Sequence, residues 1–188
     1  MADNYVRLDE SAVKKLTSYL EGMPKQAPVA IARAMNRAID STKTEASRIL
    51  KENYTIKSSS VKQSLSVKKA SKNELVAQFL SSANSASLSM SHYKFSPNKE
   101  TTGKAFRPVT AEVKKGSPFE VKNGFVWNGT VFRRTGKKRL PIEVKTGPTV
   151  PQLLSQEDAF ESLQEKAEET FMKRLEHEVG VLLKGVTK

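Results

Sequence analysis

Asn123-Gly124-Phe125-Val126-Trp127-Asn128-Gly129-Thr130-Val131-Phe132 is the stretch on which the fold class turns. Aromatic and β-branched residues fill it, and such side chains suit a half-buried pleated surface. Phe125 to Phe132 reads as a strand, the most β-prone of the chain. Asn123-Gly124 ahead of it is a hairpin signal, because both residues tolerate positive φ. Immediately after come Arg133-Arg134-Thr135-Gly136-Lys137-Lys138-Arg139-Leu140-Pro141-Ile142, with five cations in the seven residues 133–139. They fall at a turn. The strand Leu140-Pro141-Ile142-Glu143-Val144 follows, and its proline places it at a sheet edge or at a strand start.

Upstream, period-two alternation predicts further strands at Leu65–Lys68, Leu75–Leu80 and Val109–Val113, and another over Ala86–Ser91. Ser71-Lys72-Asn73 reads as a hairpin turn. His92 to Lys104 has Pro97, Asn98 and Gly103 and no periodicity, and is expected to be a long mobile loop. Helical spacing governs the two ends. Val13, Leu16 and Leu20 mark a short helix over residues 9–22, stopped by Gly22 and Pro24. A second helix begins near Pro28 and runs to residue 52, with an alanine-rich stripe. Ser58 or Ser59 caps a short helix over Val61–Leu65. Past the linker residues Gly147, Pro148 and Pro151, Ser155 opens a long helix. In it Phe160, Leu163, Ala167, Phe171, Leu175, Val179 and Leu182 recur every three or four residues, and Glu157 and Asp158 suit the positive end of its dipole. The predicted class is α+β: N-terminal helices, a central, mainly antiparallel sheet, and a long C-terminal helix packed on that sheet. We expect an N-terminal helical arm over 1–23. Residues 24–188 form a single domain, with a basic β region at about 61–146 and the last helix at about 155–185.

Charge is strongly positive and unevenly distributed. The 188 residues carry 32 Lys/Arg against 20 Asp/Glu, a net of +12. Residues 152–188 hold 5 Lys/Arg against 8 Asp/Glu (net −3), whereas residues 53–145 hold 18 against 5 (net +13). Such asymmetry points to an anionic partner, or to oppositely charged faces meeting between subunits. There is no cysteine, so disulfides and thiolate metal sites are excluded. No apolar run is long enough to span a bilayer. The first residues lack the order of a signal peptide.

Chemistry is not nominated by any motif. His92 and His177 have no second ligand at metal spacing and no argued Ser or Asp partner, and each reads as a surface or satisfied histidine. Phosphate-cradling glycine loops are absent. We therefore expect no enzyme, cofactor, metal or small-molecule substrate. The candidate contacts are cationic. Arg133, Arg134, Lys137, Lys138 and Arg139 form the first set, and Arg33, Arg37, Lys68 and Lys69 a second. The basic turn has two readings: a surface brought against phosphates or an acidic subunit, or a solvated loop tip. Phe125, Trp127 and Phe132 alternate as strand packing does, more than as a base-stacking platform. Phe171, Leu175 and Leu182 mark a helix face that either covers the sheet or meets another subunit.

Three features together resemble the phage minor tail protein Z family. The helix Pro28-Val29-Ala30-Ile31-Ala32-Arg33-Ala34-Met35-Asn36-Arg37-Ala38 is similar to the family's A-x-A-x-x-R-A-x-N-R-A pattern. Ile56 to Ala70 leads a short lysine-bearing helix into Val67-Lys68-Lys69-Ala70-Ser71. The basic hairpin then runs into Arg139-Leu140-Pro141-Ile142, a Gly/Pro linker and a long charged helix. The resemblance covers roughly residues 24–185. It implies a non-enzymatic virion protein of a long-tailed phage, assembled in the host cytoplasm. It implies a tail completion or neck component at the head-proximal end that enables head–tail joining. Implied partners are copies of itself in a homo-oligomeric ring, the tail terminator and head-closure proteins, and DNA in the channel as an open question; no membrane is implied. The competing reading is a nucleic-acid-binding module that uses the positive central block directly.

Overall fold

Alanine spacing explains the first long helix. In the computed structural model, which describes Ser18 and residues 25–98 and 108–186, Ala27–Asn53 forms one continuous helix, α1. Ala30, Ala34, Ala38 and Ala46 are buried along it, and their small side chains allow close approach of another element. Thr42 is buried on the same stripe and donates its hydroxyl to Ala38 O at 2.9 Å, which satisfies a polar group that would otherwise be costly there. The helix predicted over 9–22 lies outside the described residues apart from Ser18.

After α1 come α2 (Ser58–Ser64), β1 (Leu65–Lys68), β2 (Gln78–Ser81) and β3 (Leu88–Ser89), with a 3-10 turn at Met90–His92. Next are β4 (Lys94–Ser96), β5 (Val109–Glu112), β6 (Pro118–Val121), β7 (Gly124–Trp127) and β8 (Thr130–Arg134). The chain ends with β9 (Ile142–Val144), β10 (Thr146–Gly147), α3 (Val150–Leu154) and α4 (Glu157–Val186). This is an α+β protein; among the described residues every strand pair is antiparallel, and the strands divide among four small sheets.

Two compact units emerge. The first holds residues through Ser47, Leu65–Ser81 and Leu154 onward. Within it the C-terminal stripe of α4 meets α1: Phe171, Leu175 and Val179 pack with Ile31, Ala34 and Ala38. This half of the helix is packed through its apolar stripe. Its partner is the alanine face of another helix, where flat small-residue surface matches its larger side chains. The hairpin β1–β2 belongs here too, with Leu65 opposite Ser81 and Lys68 opposite Gln78. Its turn falls at Ser71–Asn73 as predicted, closed by reciprocal backbone bonds between Ser71 and Glu74.

The second unit holds Arg48–Ser64 and Ser82–Leu153. Its two three-stranded sheets have the orders β4-β5-β6 and β7-β8-β9. Part of the segment expected to be a mobile loop is ordered: Lys94–Ser96 is strand β4, paired to β5. The rest of that segment, 99–104, lies outside the described residues. β6 is not among the predicted strands, because its alternation runs over Phe119-Glu120-Val121 only; it joins the sheet by pairing with β5. Tyr93 is deeply buried in this unit. Its hydroxyl donates to Pro148 O, and burial, with Tyr54 nearby, pushes its pKa up from 10.0 to about 12. On β5, Glu112 accepts from the Lys94 ammonium and the Gly116 N–H, and these bonds hold its carboxylate below the usual range.

Candidate functional site

The decisive stretch is not one strand but a hairpin. Asn128 and Gly129 take φ of 46° and 67°, so a two-residue turn divides it into β7 and β8. Their twist matches that of the flanking strands, which is why this turn type closes tight hairpins. The predicted turn at Asn123-Gly124 has another job. Asn123 (φ 56°) turns the chain from β6 into β7, which lie in different sheets. A Cβ on Gly124 would come within 2.6 Å of Val121 O, so only glycine fits that corner.

Register then decides which side chains share a face. Phe125 stands opposite Phe132, and Phe132 opposite Val144; Trp127 faces Thr130, and Arg134 faces Ile142. Period two therefore puts Phe125, Trp127, Phe132, Arg134, Ile142 and Val144 on one side of the sheet. Val126 and Val131 point to the other side, where both are fully buried. The first side is open: Trp127 is 52% exposed, Val144 44% and Ile142 38%. The Phe125 and Phe132 rings stack at 5.7 Å between centroids, and Trp127 tilts against Phe132 at 5.9 Å. The aromatic alternation is thus strand packing, as predicted, yet on a solvent-facing surface.

The basic turn joins β8 to β9 at the end of this face. Its five cations have different surroundings. Arg133 is ion-paired with Glu143, its cross-strand neighbour. The Arg134 guanidinium lies 4.6 Å from the centre of the Phe125 ring, a cation–π contact. Lys137, Lys138 and Arg139 are exposed, and no ion pair engages them among the described residues. Leu140 beside them is 65% exposed.

The second cationic set is largely engaged within the first unit. Arg33 pairs with Glu178 at 3.4 Å, Lys68 with Glu74 at 3.2 Å and Lys69 with Asp40 at 2.9 Å; Arg37 is exposed. The motif residue that sequence reading passed over is Asn36. Its amide donates to Ala70 O at 2.9 Å and accepts from Ala70 N at 2.8 Å, clamping the segment after β1 onto α1. Its place between two arginines of the alanine-rich motif was the available signal. Phe171 and Leu175, read as an alternative inter-subunit face, are buried against α1, and Leu182 packs beside them. That face is occupied by the chain's own helix.

His92 has a serine partner after all: Ser60 Oγ lies 2.8 Å from its Nδ1, at the lining of a cavity of about 260 Å³. Ser60 comes from α2 and is buried, and no hydrogen bond joins the ring to a carboxylate among the described residues. This is the satisfied histidine the sequence suggested. His177 is exposed on α4. Among the described residues no cluster of His, Asp and Glu could hold a metal ion, and no helix is long and apolar enough to cross a membrane.

An open aromatic sheet face thus ends in a cationic loop, on an α+β scaffold. The chain belongs to the family described as Prophage minor tail protein Z (GPZ), whose profile matches residues 9–188. It is accordingly a phage minor tail protein with a structural role in the tail, a role that implies contact with other virion proteins. No curated protein and no solved structure is matched.

Proposed function

We propose that this minor tail protein completes the head-proximal end of the tail of a long-tailed phage and enables the tail to join the filled head. In this reading several copies form a ring, and the tail terminator and head-closure proteins are its neighbours. The observation that carries it is the family match over nearly the whole chain, combined with the exposed cluster Lys137, Lys138 and Arg139. Like charges held so close repel one another and contribute little to the fold of one chain. Their density is explained if an anionic surface is brought to them during assembly.

The test is the variant K137S/K138S/R139Q. We expect its melting temperature to be unchanged or slightly raised, and tails built with it to join heads poorly. Normal joining by the folded variant would reduce the cluster to a solvated loop tip. Exposed Trp127, on the same sheet face though at the end away from the cationic turn, favours the competing reading, direct nucleic-acid binding. In that case binding to random duplex DNA falls steeply as salt rises, in proportion to the phosphates neutralised.

A further inference from the structure

The C-terminal helix displays a second surface that its fold does not need. Glu157, Glu161, Glu165 and Glu169 follow one another every four residues along α4, and all four are exposed. Spacing of four stacks them into one ridge, where like charges destabilise the helix that carries them. Among the described residues only Glu169 of the four is ion-paired, with Lys166 on its own helix at 2.8 Å. That pairing holds the Glu169 carboxylate below its ordinary range. Among the described residues no cation answers Glu157, Glu161 or Glu165.

We propose that this glutamate ridge is the occupant of the open sheet face: α4 of one copy docks on β7–β9 of the next, with its carboxylates against Lys137, Lys138 and Arg139. The proposal rests on the multi-copy reading above and assigns the two surfaces of its subunit contact. Charge complementarity argues for it, because among the described residues Glu157, Glu161 and Glu165 on the ridge and Lys137, Lys138 and Arg139 on the loop have no ion-pair partner. The sheet face argues for a protein and against a nucleic acid. Its aromatic rings are extended by Ile142 and Val144, which offer aliphatic area for burial and no platform for bases. The two surfaces differ, so the contact is heterologous, and repetition of such a contact closes a ring or extends a filament.

The native chain has no cysteine, which makes cross-linking clean. The double variant K138C/E161C, assembled into phage particles and treated with a flexible bismaleimide, should yield a ladder of covalent oligomers. K138C alone and E161C alone should stay monomeric. Multi-copy particles that give no ladder overturn the pairing and leave the ring reading standing; particles that carry a single copy overturn both. Cross-linked dimers from either single variant overturn it in favour of a two-fold contact. A charge swap gives a second readout. K137E/K138E/R139E should abolish head joining, and adding E157K/E161K/E165K to the same chain should restore it. Failure of the swap to restore joining, with both chains shown folded by circular dichroism, also overturns the proposal. So does duplex DNA that is retained by the native chain, lost by K137S/K138S/R139Q and accompanied by no ladder.

Discussion

Asn128 and Gly129 show how much one residue pair can decide. Both have positive φ, and together they convert a single run of β-formers into a two-stranded hairpin. A β-branched side chain at Gly129 is strained in that conformation, although the space around it is open. Gly129→Val should therefore cost about 1–2 kcal/mol in denaturant titration, through the backbone alone. Asn36 acts at the same scale. Its amide satisfies both the N–H and the C=O of Ala70, so Asn36→Ala leaves two backbone groups wanting partners. We expect a loss of about 1–3 kcal/mol, with Asn36→Asp recovering only the half that accepts. Tyr93 makes a pH prediction. Its folded pKa is raised from 10.0 to about 12, so the folded state holds the phenolic proton more tightly than the unfolded state does. The resulting stability is complete below the unfolded value of 10.0 and is lost as pH rises toward about 12. Denaturant midpoints measured across that window should fall for the native chain, and fall less for Tyr93→Phe.

At the scale of elements, α4 presents two faces with different roles. Leu175 and Phe171 are almost wholly buried against the alanines of α1. Truncation there opens a cavity between two helices that cannot close without moving one of them. Leu175→Ala should cost about 2–5 kcal/mol of unfolding free energy. The exposed ridge should respond in the opposite direction. Replacing Glu161 and Glu165 with Gln removes repulsion between stacked carboxylates, so the isolated chain should melt at the same temperature or slightly higher. If both substitutions destabilise the monomer, the ridge is part of the fold and not an assembly surface. The loop between β8 and β9 follows the same logic, since its end residues Arg133 and Arg134 are tied to Glu143 and Phe125 while its tip is not.

For the whole molecule, the charge imbalance along the chain becomes a matter of surfaces. The positive block includes cations spent on internal pairs, such as Lys68 and Lys69, and cations left open at the Lys137–Arg139 tip. Only the open ones can act on a partner. Association driven by them should weaken as salt rises, because exposed pairs are screened over about 10 Å at 0.1 M ionic strength. Sedimentation of the native chain at low and high salt measures this. Self-association that strengthens with salt would point to the aromatic face alone, without the charges.

What the sequence determined by itself was periodicity and punctuation. The alanine stripe of α1, the three-to-four spacing of α4, the alternation of β1, β5 and β8 and the cationic turn before Pro141 are all local signals, written in neighbouring residues. They suffice for the α+β class, for the family and for the cationic tip of the candidate site. Tertiary structure decided what those signals meet. Whether Asn123-Gly124 or Asn128-Gly129 closes the hairpin depends on which strands pair, and both dipeptides carry the same local preference. β6 alternates over three residues only, too few to mark a strand, and it is held in place by pairing with β5. Phe125, Trp127 and Phe132 alternate identically whether their face is covered or open. Their exposure follows from where Val126 and Val131 find burial, which is a long-range outcome of packing that no spacing encodes.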